Sequence, residues 1–376
     1  MNRAITQILY EVAEIIMGQS PESESYNDKG DGIPFYQGKS DFGEVYPTVR
    51  MYCTSPKKIA MANDILMSVR APIGDVNIAR EKCCIGRGLA AIRPRGENNL
   101  KYLFYLLDYY KERLAEQGTG STFKAVGKDI LKEFKIPVWN LEKQQMIADI
   151  VDEIQQLIFI RREALSVLDE LVKSRFVEMF GNPHHSEKYP YKKVQEFTEV
   201  RSGGTPSRKQ DAYWTNGTIR WVKTAELQNN EIYDTEEKIT QEAVDNSSAK
   251  MLPENTILIA MYGQGKTRGM TAYLKVESTT NQACACVLPS DEINQRYLWR
   301  YFMMSYEQLR AMALGAGQPN LTGEMIKNFP VLMPPLELQE KYVLFAEQTD
   351  KSKLSIQQSI ENLQTLKAKL MQEYFG

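Results

Sequence analysis

The chain has 376 residues, 43% hydrophobic and 25% charged, an ordinary composition for a folded protein and enough length for two or three domains, each able to bury a core. It offers no apolar run of about 18 residues for a membrane span, and residues 1–17 lack the charged start, apolar core and small-residue cleavage site of a signal peptide. The net charge of −2 and pI near 6.0 count mildly against a nucleic-acid ligand, so any such ligand requires basic residues concentrated on one side.

In chain order, short β-branched or aromatic runs at 33–37 and 65–69 precede an amphipathic helix at 100–115. Residues 141–180 then contain no proline or glycine, and Val151, Ile158, Leu165, Val172 and Met179 recur every seven residues. Ile147, Ile154 and Leu168 flank this stripe on one side, Ile150, Leu157 and Leu171 on the other. The pattern predicts a helical rod in search of a helical partner, about 60 Å long at 1.5 Å per residue. Gly181-Asn182-Pro183 ends it. The same order follows again: strands at 219–222 and 256–260, a helix at 297–313, and a stripe of Tyr342, Phe345, Ile356, Ile360, Leu363, Leu366 and Leu370. Thr349, Ser352 and Lys353 interrupt the second stripe, which makes it the weaker of the two.

The chain is a repeat of very long period. Leu141, Glu142 and Gln144 match Leu336, Glu337 and Gln339, and Glu178, Phe180 and Gly181 match Glu373, Phe375 and Gly376. Every pair is separated by 195 positions (336 − 141, 376 − 181). Residues 85–94 lie against 280–289 at the same offset, and MGQSP (17–21) lies against SGGTP (202–206) at an offset shifted by loop insertions. The expected organisation is therefore a globular domain at 1–140, a long helix at 141–181, a second domain at 182–335 and a second helix at 336–376. The expected fold class is α+β: two pseudo-repeated α/β domains separated by two long antiparallel helices that form a coiled-coil spacer, with one domain near each end.

Several apparent motifs dissolve on inspection. Residues 260–267 resemble a phosphate-binding loop, but Ala260 replaces its first glycine and 271–274 reads as a strand where that loop requires a helix. The five cysteines (Cys53, Cys83, Cys84, Cys284, Cys286) are an odd number in a long chain and fit reduced thiols in a cytoplasm. Cys284 and Cys286 lack zinc-ligand spacing and sit at inward strand positions. His184 and His185, the only histidines, lie in a linker, and no nucleophilic triad assembles around them. The glycine-rich cofactor loop and the Asn/Asp-Pro-Pro-aromatic signature of a base methylase are missing, since Pro334-Pro335 follows Met333 and opens a helix.

What remains is a set of polar, basic and glycine-rich loops at matching places in the two halves. The pairs are 18–21 with 203–208, 36–39 with 221–224, 70–74 with 262–268, 86–88 with 281–283, and 120–124 with 317–320. Arg, Lys, Gln and Asn side chains read base edges, while Ser and Thr hold phosphates. The candidate DNA-contacting residues of the first half are Gln19, Ser20, Tyr36, Lys39, Arg70, Arg87, Thr122 and Lys124. Those of the second are Thr205, Ser207, Arg208, Trp221, Lys223, Tyr262, Gln264, Lys266, Arg268, Asn281, Gln282, Gln318 and Asn320. Matching positions with divergent side chains are what two readers of different sequences would show.

The segments MGQSPESESYN, GIPFYQG, CIGRGLAAIRP and GSTFKAV resemble one target-recognition domain of a type I restriction–modification specificity subunit. SGGTPSRKQDAYW, IRWVKTAEL, NSSAKMLPENTILIAMYG and TTNQACACVLP resemble another, and the two endings are similar to that family's helical spacers. The resemblance implies a non-catalytic, cytoplasmic DNA-recognition subunit of an enzyme complex that reads a bipartite, asymmetric duplex. It also implies two modification subunits carrying S-adenosylmethionine-dependent adenine methylation, and restriction subunits, motor nucleases using ATP and Mg. This chain is expected to hold no cofactor or metal and to have no membrane partner. The rival readings are the specificity part of a stand-alone or fused methyltransferase or restriction enzyme, and a purely architectural coiled-coil dimer. The latter leaves the divergence of the domain loops unexplained.

Overall fold

The computed structural model describes all residues except 1–3, 121–123, 264 and 314–319. The chain divides into two units, one formed by residues 1–163 and 357–376, the other by residues 164–356. Both cuts fall inside a long helix, so each of the helices Leu141–Phe180 and Leu336–Phe375 serves both units.

The two units share one topology. In the first, a four-stranded sheet runs in the order Ala13–Met17, Leu89–Pro94, Ile65–Ser68, Val76–Ile78. In the second, the order is Val200–Ser202, Cys284–Val287, Ile257–Ala260, Thr271–Leu274, extended by Asn230–Ile232. A second sheet in each unit contains a parallel pair, Ile33–Tyr36 with Cys83–Ile85 and Ile219–Val222 with Thr279–Thr280. A two-strand ribbon completes each unit, Ile5–Ile8 with Lys135–Val138 and Tyr191–Lys193 with Pro330–Leu332. Thr271–Leu274 is the strand expected after the Ala260 loop, which is therefore a strand–loop–strand connection.

Alternation along the strands divides each sheet between two apolar layers. Ile65, Met67, Ala90 and Ile92 face helix side chains such as Leu103, Leu106, Ile147 and Val151. Leu66, Leu89 and Ala91 pack with Cys83, Ile85 and Tyr36 of the second sheet. All five cysteines are buried as free thiols, Cys284 and Cys286 on the inward face of their strand.

The helices expected at 100–115 and 297–313 are each broken. Leu100–Tyr109 gives way at Tyr110 to Lys111–Glu116, and Gln295–Met304 gives way at Ser305 to Tyr306–Met312. The bend keeps the amphipathic pattern intact while turning Leu114 and Leu309 into the cores, which is why periodicity does not reveal it. Asn99 and Asn294 cap the first helix of each pair, their side-chain oxygens accepting from the Tyr102 and Tyr297 amides at 2.9 and 3.1 Å.

Within each unit the long helices run antiparallel. In the first, the Lys367 ammonium donates to Gln155 Oε1 at 3.0 Å and the Trp139 indole to the Tyr374 carbonyl at 3.0 Å. In the second, Lys353 meets Asp169 at 2.7 Å, and Phe176 packs edge-on to Tyr342 at 5.3 Å between ring centroids. The apolar seams differ in detail from the seven-residue reading. Leu171 and Leu366 are exposed, whereas Phe176 and Phe180, four residues apart, are buried. Thr349 is also buried, its hydroxyl satisfied by the Phe345 carbonyl at 3.0 Å. The end of each long helix completes a core begun by the other repeat: Phe375 lies against Tyr102, and Phe180 against Tyr297. Full burial of such a ring contributes roughly 1.5–3 kcal/mol.

Candidate nucleic-acid interface

One backbone frame builds the loop tip of each unit. In the first unit, the Gly18 amide donates to the Leu89 carbonyl at 2.9 Å, Gln19 to Ile85 at 3.0 Å, Val69 to Gly88 at 2.9 Å and Val126 to Val69 at 2.9 Å. In the second, Gly203 donates to Cys284 at 3.2 Å, Gly204 to Thr280 at 2.8 Å, Met261 to Ala283 at 2.8 Å and Leu321 to Met261 at 3.0 Å. Gly18 and Gly203 are needed at this crossing, because a Cβ on either would overlap the carbonyl oxygen of Gly86 or Asn281. The frame fixes equivalence position by position: Ser20 with Thr205, Arg70 with Tyr262, and Arg87 with Gln282.

The same frame corrects one pairing read from sequence. Phe35 lies opposite Cys84 and Trp221 opposite Thr279, so Phe35, not Tyr36, matches Trp221. The short helices Lys39–Asp41 and Thr224–Glu226 that follow do correspond, which makes Gln37 an extra residue of the first unit.

In the first unit the loops enclose a concave pocket of about 380 Å³. Ser20, Gln37, Lys39, Arg70 and Arg87 line it together with the backbone of Gly38 and Gly88. Lys39 is held by Asp75 at 2.7 Å, while no ion pair among the described residues involves Arg70 or Arg87. The Arg87 amide donates to Ser20 Oγ at 3.4 Å, tying two loops together. Gln19 and Lys124 are exposed, and Lys124 precedes Ala125, which bridges to Arg70. Thr122 lies outside the described residues.

The second tip carries its charge differently. Between Met261 and Gly269 the loop has seven residues, against four between Val69 and Gly74. Both loops close alike, Gly74 donating to Ser68 and Gly269 to Ala260, each at 2.9 Å. Both glycines take positive φ, 92° and 86°. The Tyr306 hydroxyl donates to the Lys266 carbonyl at 2.7 Å and Arg310 to the Arg268 carbonyl at 3.0 Å, so a helix braces the loop. Tyr262 and Lys266 are exposed and Arg268 is half-buried. Gln264 and Gln318 lie outside the described residues.

Arg208 stacks on Trp214, its guanidinium carbon 3.6 Å from the ring centroid, and pairs with Glu237 at 2.5 Å. Lys223 reaches Glu236 at 2.6 Å and Glu237 at 3.2 Å. Hydrogen bonding to Glu236 and then Glu237 raises the Lys223 pKa, and the Arg208 hydrogen bond holds the Glu237 carboxyl below its ordinary value. These carboxylates, missed in the sequence reading, offset much of the positive charge expected here. Thr205 and Asn320 are half-buried, while Ser207 and Gln282 are exposed.

Three candidate contacts are builders of the fold. Tyr36 and Trp221 are only 4% and 3% exposed, and the Trp221 indole donates to the Gly204 carbonyl at 3.0 Å. Their strands turn them inward, so neither side chain is presented at the surface of its tip. Asn281 spends its amide on the turn, accepting from the Ala283 amide at 3.2 Å and donating to Thr224 Oγ1 at 3.3 Å. Gln37 is a pocket residue that sequence reasoning passed over, and its place as an insertion shows only once the strands are paired.

The chain is thus a duplicated module with one backbone frame and different exposed side chains at its two tips. The chain matches the family of type I restriction modification DNA specificity domains twice, at residues 7–169 and 186–365. It belongs to that family, the specificity subunits of type I restriction–modification systems. Over 161 residues it is 47% identical to a Methanocaldococcus jannaschii chain inferred to be the type I restriction enzyme MjaX specificity subunit. That match covers 43% of this chain and 38% of the relative's length. Over 363 residues it is 23% identical to the type I restriction enzyme MjaIX specificity subunit of the same organism, covering 88% of this chain and 83% of that one.

Among solved structures, the type I restriction–modification S subunit from M. genitalium aligns with a TM-score of 0.62 at 15% identity, covering 100% of this chain and 97% of that one. A chain from a structure of complex assembly and conformational transition of the type I R-M system aligns with a TM-score of 0.66 at 16% identity, covering 100% and 98%. At such identities these likenesses speak to the fold, two repeated mixed α/β domains with long helices. Among the described residues, no helix is long and apolar enough to cross a membrane.

Proposed function

We propose that the two tips read two different half-sites of a bipartite, asymmetric DNA target, and that the chain positions catalytic partners on the DNA it selects. The observation that carries this reading is the shared frame: the same four backbone hydrogen bonds recur, while Arg70 and Arg87 in one tip become Tyr262 and Gln282 in the other. An enzyme whose two halves performed one reaction would keep its side chains and let its frame drift. Here the reverse holds. In this reading the long helices are the spacer. Two modification subunits supply adenine methylation with S-adenosylmethionine, and restriction subunits supply ATP- and Mg-dependent motor and nuclease activity.

The test is domain exchange. Replacing residues 1–140 with the equivalent segment of a relative changes one half of the methylated target and leaves the other intact. A change in both halves at once overturns the two-reader reading. Incubated with labelled S-adenosylmethionine and DNA, the chain alone transfers no methyl group.

A further inference from the structure

The frame turns a general likeness between the two tips into positional equivalence, and at one position the chemistry changes in a way that has a base-specific meaning. Arg87 stands two residues after Ile85, whose carbonyl accepts from Gln19. Gln282 stands two residues after Thr280, whose carbonyl accepts from Gly204. Both side chains are exposed at the end of a turn held from two sides, since Gly88 and Ala283 each accept from the neighbouring loop, at 2.9 and 2.8 Å.

We infer that Arg87 reads a guanine in one half-site and that Gln282 reads an adenine at the corresponding place in the other. The inference rests on the reading of the tips as half-site readers and assigns the base each would select. A guanidinium donates two N–H groups in a fork that fits O6 and N7 of guanine in the major groove. A carboxamide donates to N7 of adenine and accepts from its N6 amine.

Competition inside the protein sets three other cations of the tips aside. Lys39 is engaged by Asp75, Lys223 by Glu236 and Glu237, and Arg208 by Glu237 and the face of Trp214. A cation already paired with a carboxylate must give up that partner before it can bond a base. Arg87 and Gln282 have no such partner among the described residues. Among the described residues, backbone bonds and the side chains of Ser20 and Asn281 hold the two turns, with no part played by the Arg87 or Gln282 side chain, so changing either leaves the frame standing.

The experiment incubates the full chain, by itself and assembled with type I modification subunits, with a duplex library carrying randomised positions, and sequences the bound DNA. R87Q is expected to lose a guanine preference of roughly 5- to 150-fold at one position of one half-site, with the other half-site unchanged. Q282R loses an adenine preference of similar size at one position of the other half-site. R87K keeps N–H donors for O6 and N7 of guanine but not the planar fork, and retains part of the guanine preference that R87Q loses. Thermal midpoints equal to wild type establish that the variants fold. If R87Q weakens every sequence alike and lowers the salt slope by about one unit, Arg87 holds a phosphate. The base assignment then falls while the half-site reading stands. Variants that change neither affinity nor preference would overturn the base assignment alone, whereas a wild-type chain that enriches no bipartite sequence would bring down the half-site reading itself.

Discussion

Gln144 and Gln339 make the same two hydrogen bonds in the two repeats. The amide nitrogen of Gln144 donates to the Trp139 carbonyl at 2.8 Å and its oxygen accepts from the Asn99 amide at 2.9 Å. Gln339 does the same with Pro334 at 2.7 Å and Asn294 at 2.8 Å. Each buried glutamine thus pins the start of a long helix to the cap of the helix that supports the sheet. Replacing either by alanine strands a buried donor and acceptor, at roughly 1–3 kcal/mol for each group left unpaired. Urea unfolding of Gln144→Ala and Gln339→Ala is expected to show lower midpoints, and midpoints equal to wild type would deny the clamp its role.

The seam of the second unit gives a sharper contrast. Phe176→Ala removes a fully buried ring that touches Phe180, Tyr297 and Tyr342, and is expected to cost about 3–5 kcal/mol. Leu171→Ala, at an exposed position of the same helix, is expected to stay within about 0.5 kcal/mol. Differential scanning calorimetry of the pair decides whether the apolar face follows the seven-residue reading or the observed one.

Alkaline pH probes the thiols. Burial pushes Cys83, Cys84 and Cys284 up to about 12, from an ordinary value of about 8.5. Between those values the folded chain keeps protons that the unfolded chain has released, so stability falls as pH rises through that window. Urea midpoints taken from pH 8 to pH 11 are expected to decline, and Cys284→Ala to make the decline shallower. A slope unaffected by the substitution would show that this thiol titrates as it does in the unfolded chain.

Charge in the second tip is divided unequally between its lysines. Lys266→Ala removes an exposed cation and is expected to lower the slope of log affinity against log salt by about one unit if it holds a phosphate. Lys223→Ala removes a cation already shared by Glu236 and Glu237, and is expected to change the slope by less than half as much. Equal effects would mean that the carboxylates give way when DNA arrives.

The repeat, the two long helices, the buried cysteines and the matching of loops 18–21 and 86–88 with their counterparts are legible in sequence, because each rests on a period or on a run without helix breakers. The bends at Tyr110 and Ser305 are not, since both keep the helical spacing of buried residues. Nor are the ion pairs of Arg208 and Lys223, whose acidic partners stand in or beside the strand Glu237–Ile239, a run too charged to announce itself as sheet. Nor is the burial of Tyr36 and Trp221, because their strand ends are covered on both faces: Phe35 and Tyr36 pack into different apolar clusters, as do Trp221 and Val222. Alternation reveals an outward position only where one face of a sheet meets solvent.

The exchange of helix ends between the repeats has a consequence for how the protein is made. Met371 and Phe375 belong to the core that holds Tyr102, Leu103 and Leu106, yet they are synthesised more than 250 positions later. At about 5–20 residues per second, the first unit waits roughly 13–50 s for its last apolar side chains, with the surface they cover open to other chains in the meantime. The second unit receives Phe176 and Phe180 before its own strands emerge, so its core can close as soon as Tyr342 and Val343 arrive. The half translated first is therefore the half finished last, and the one that a folding helper would have to guard.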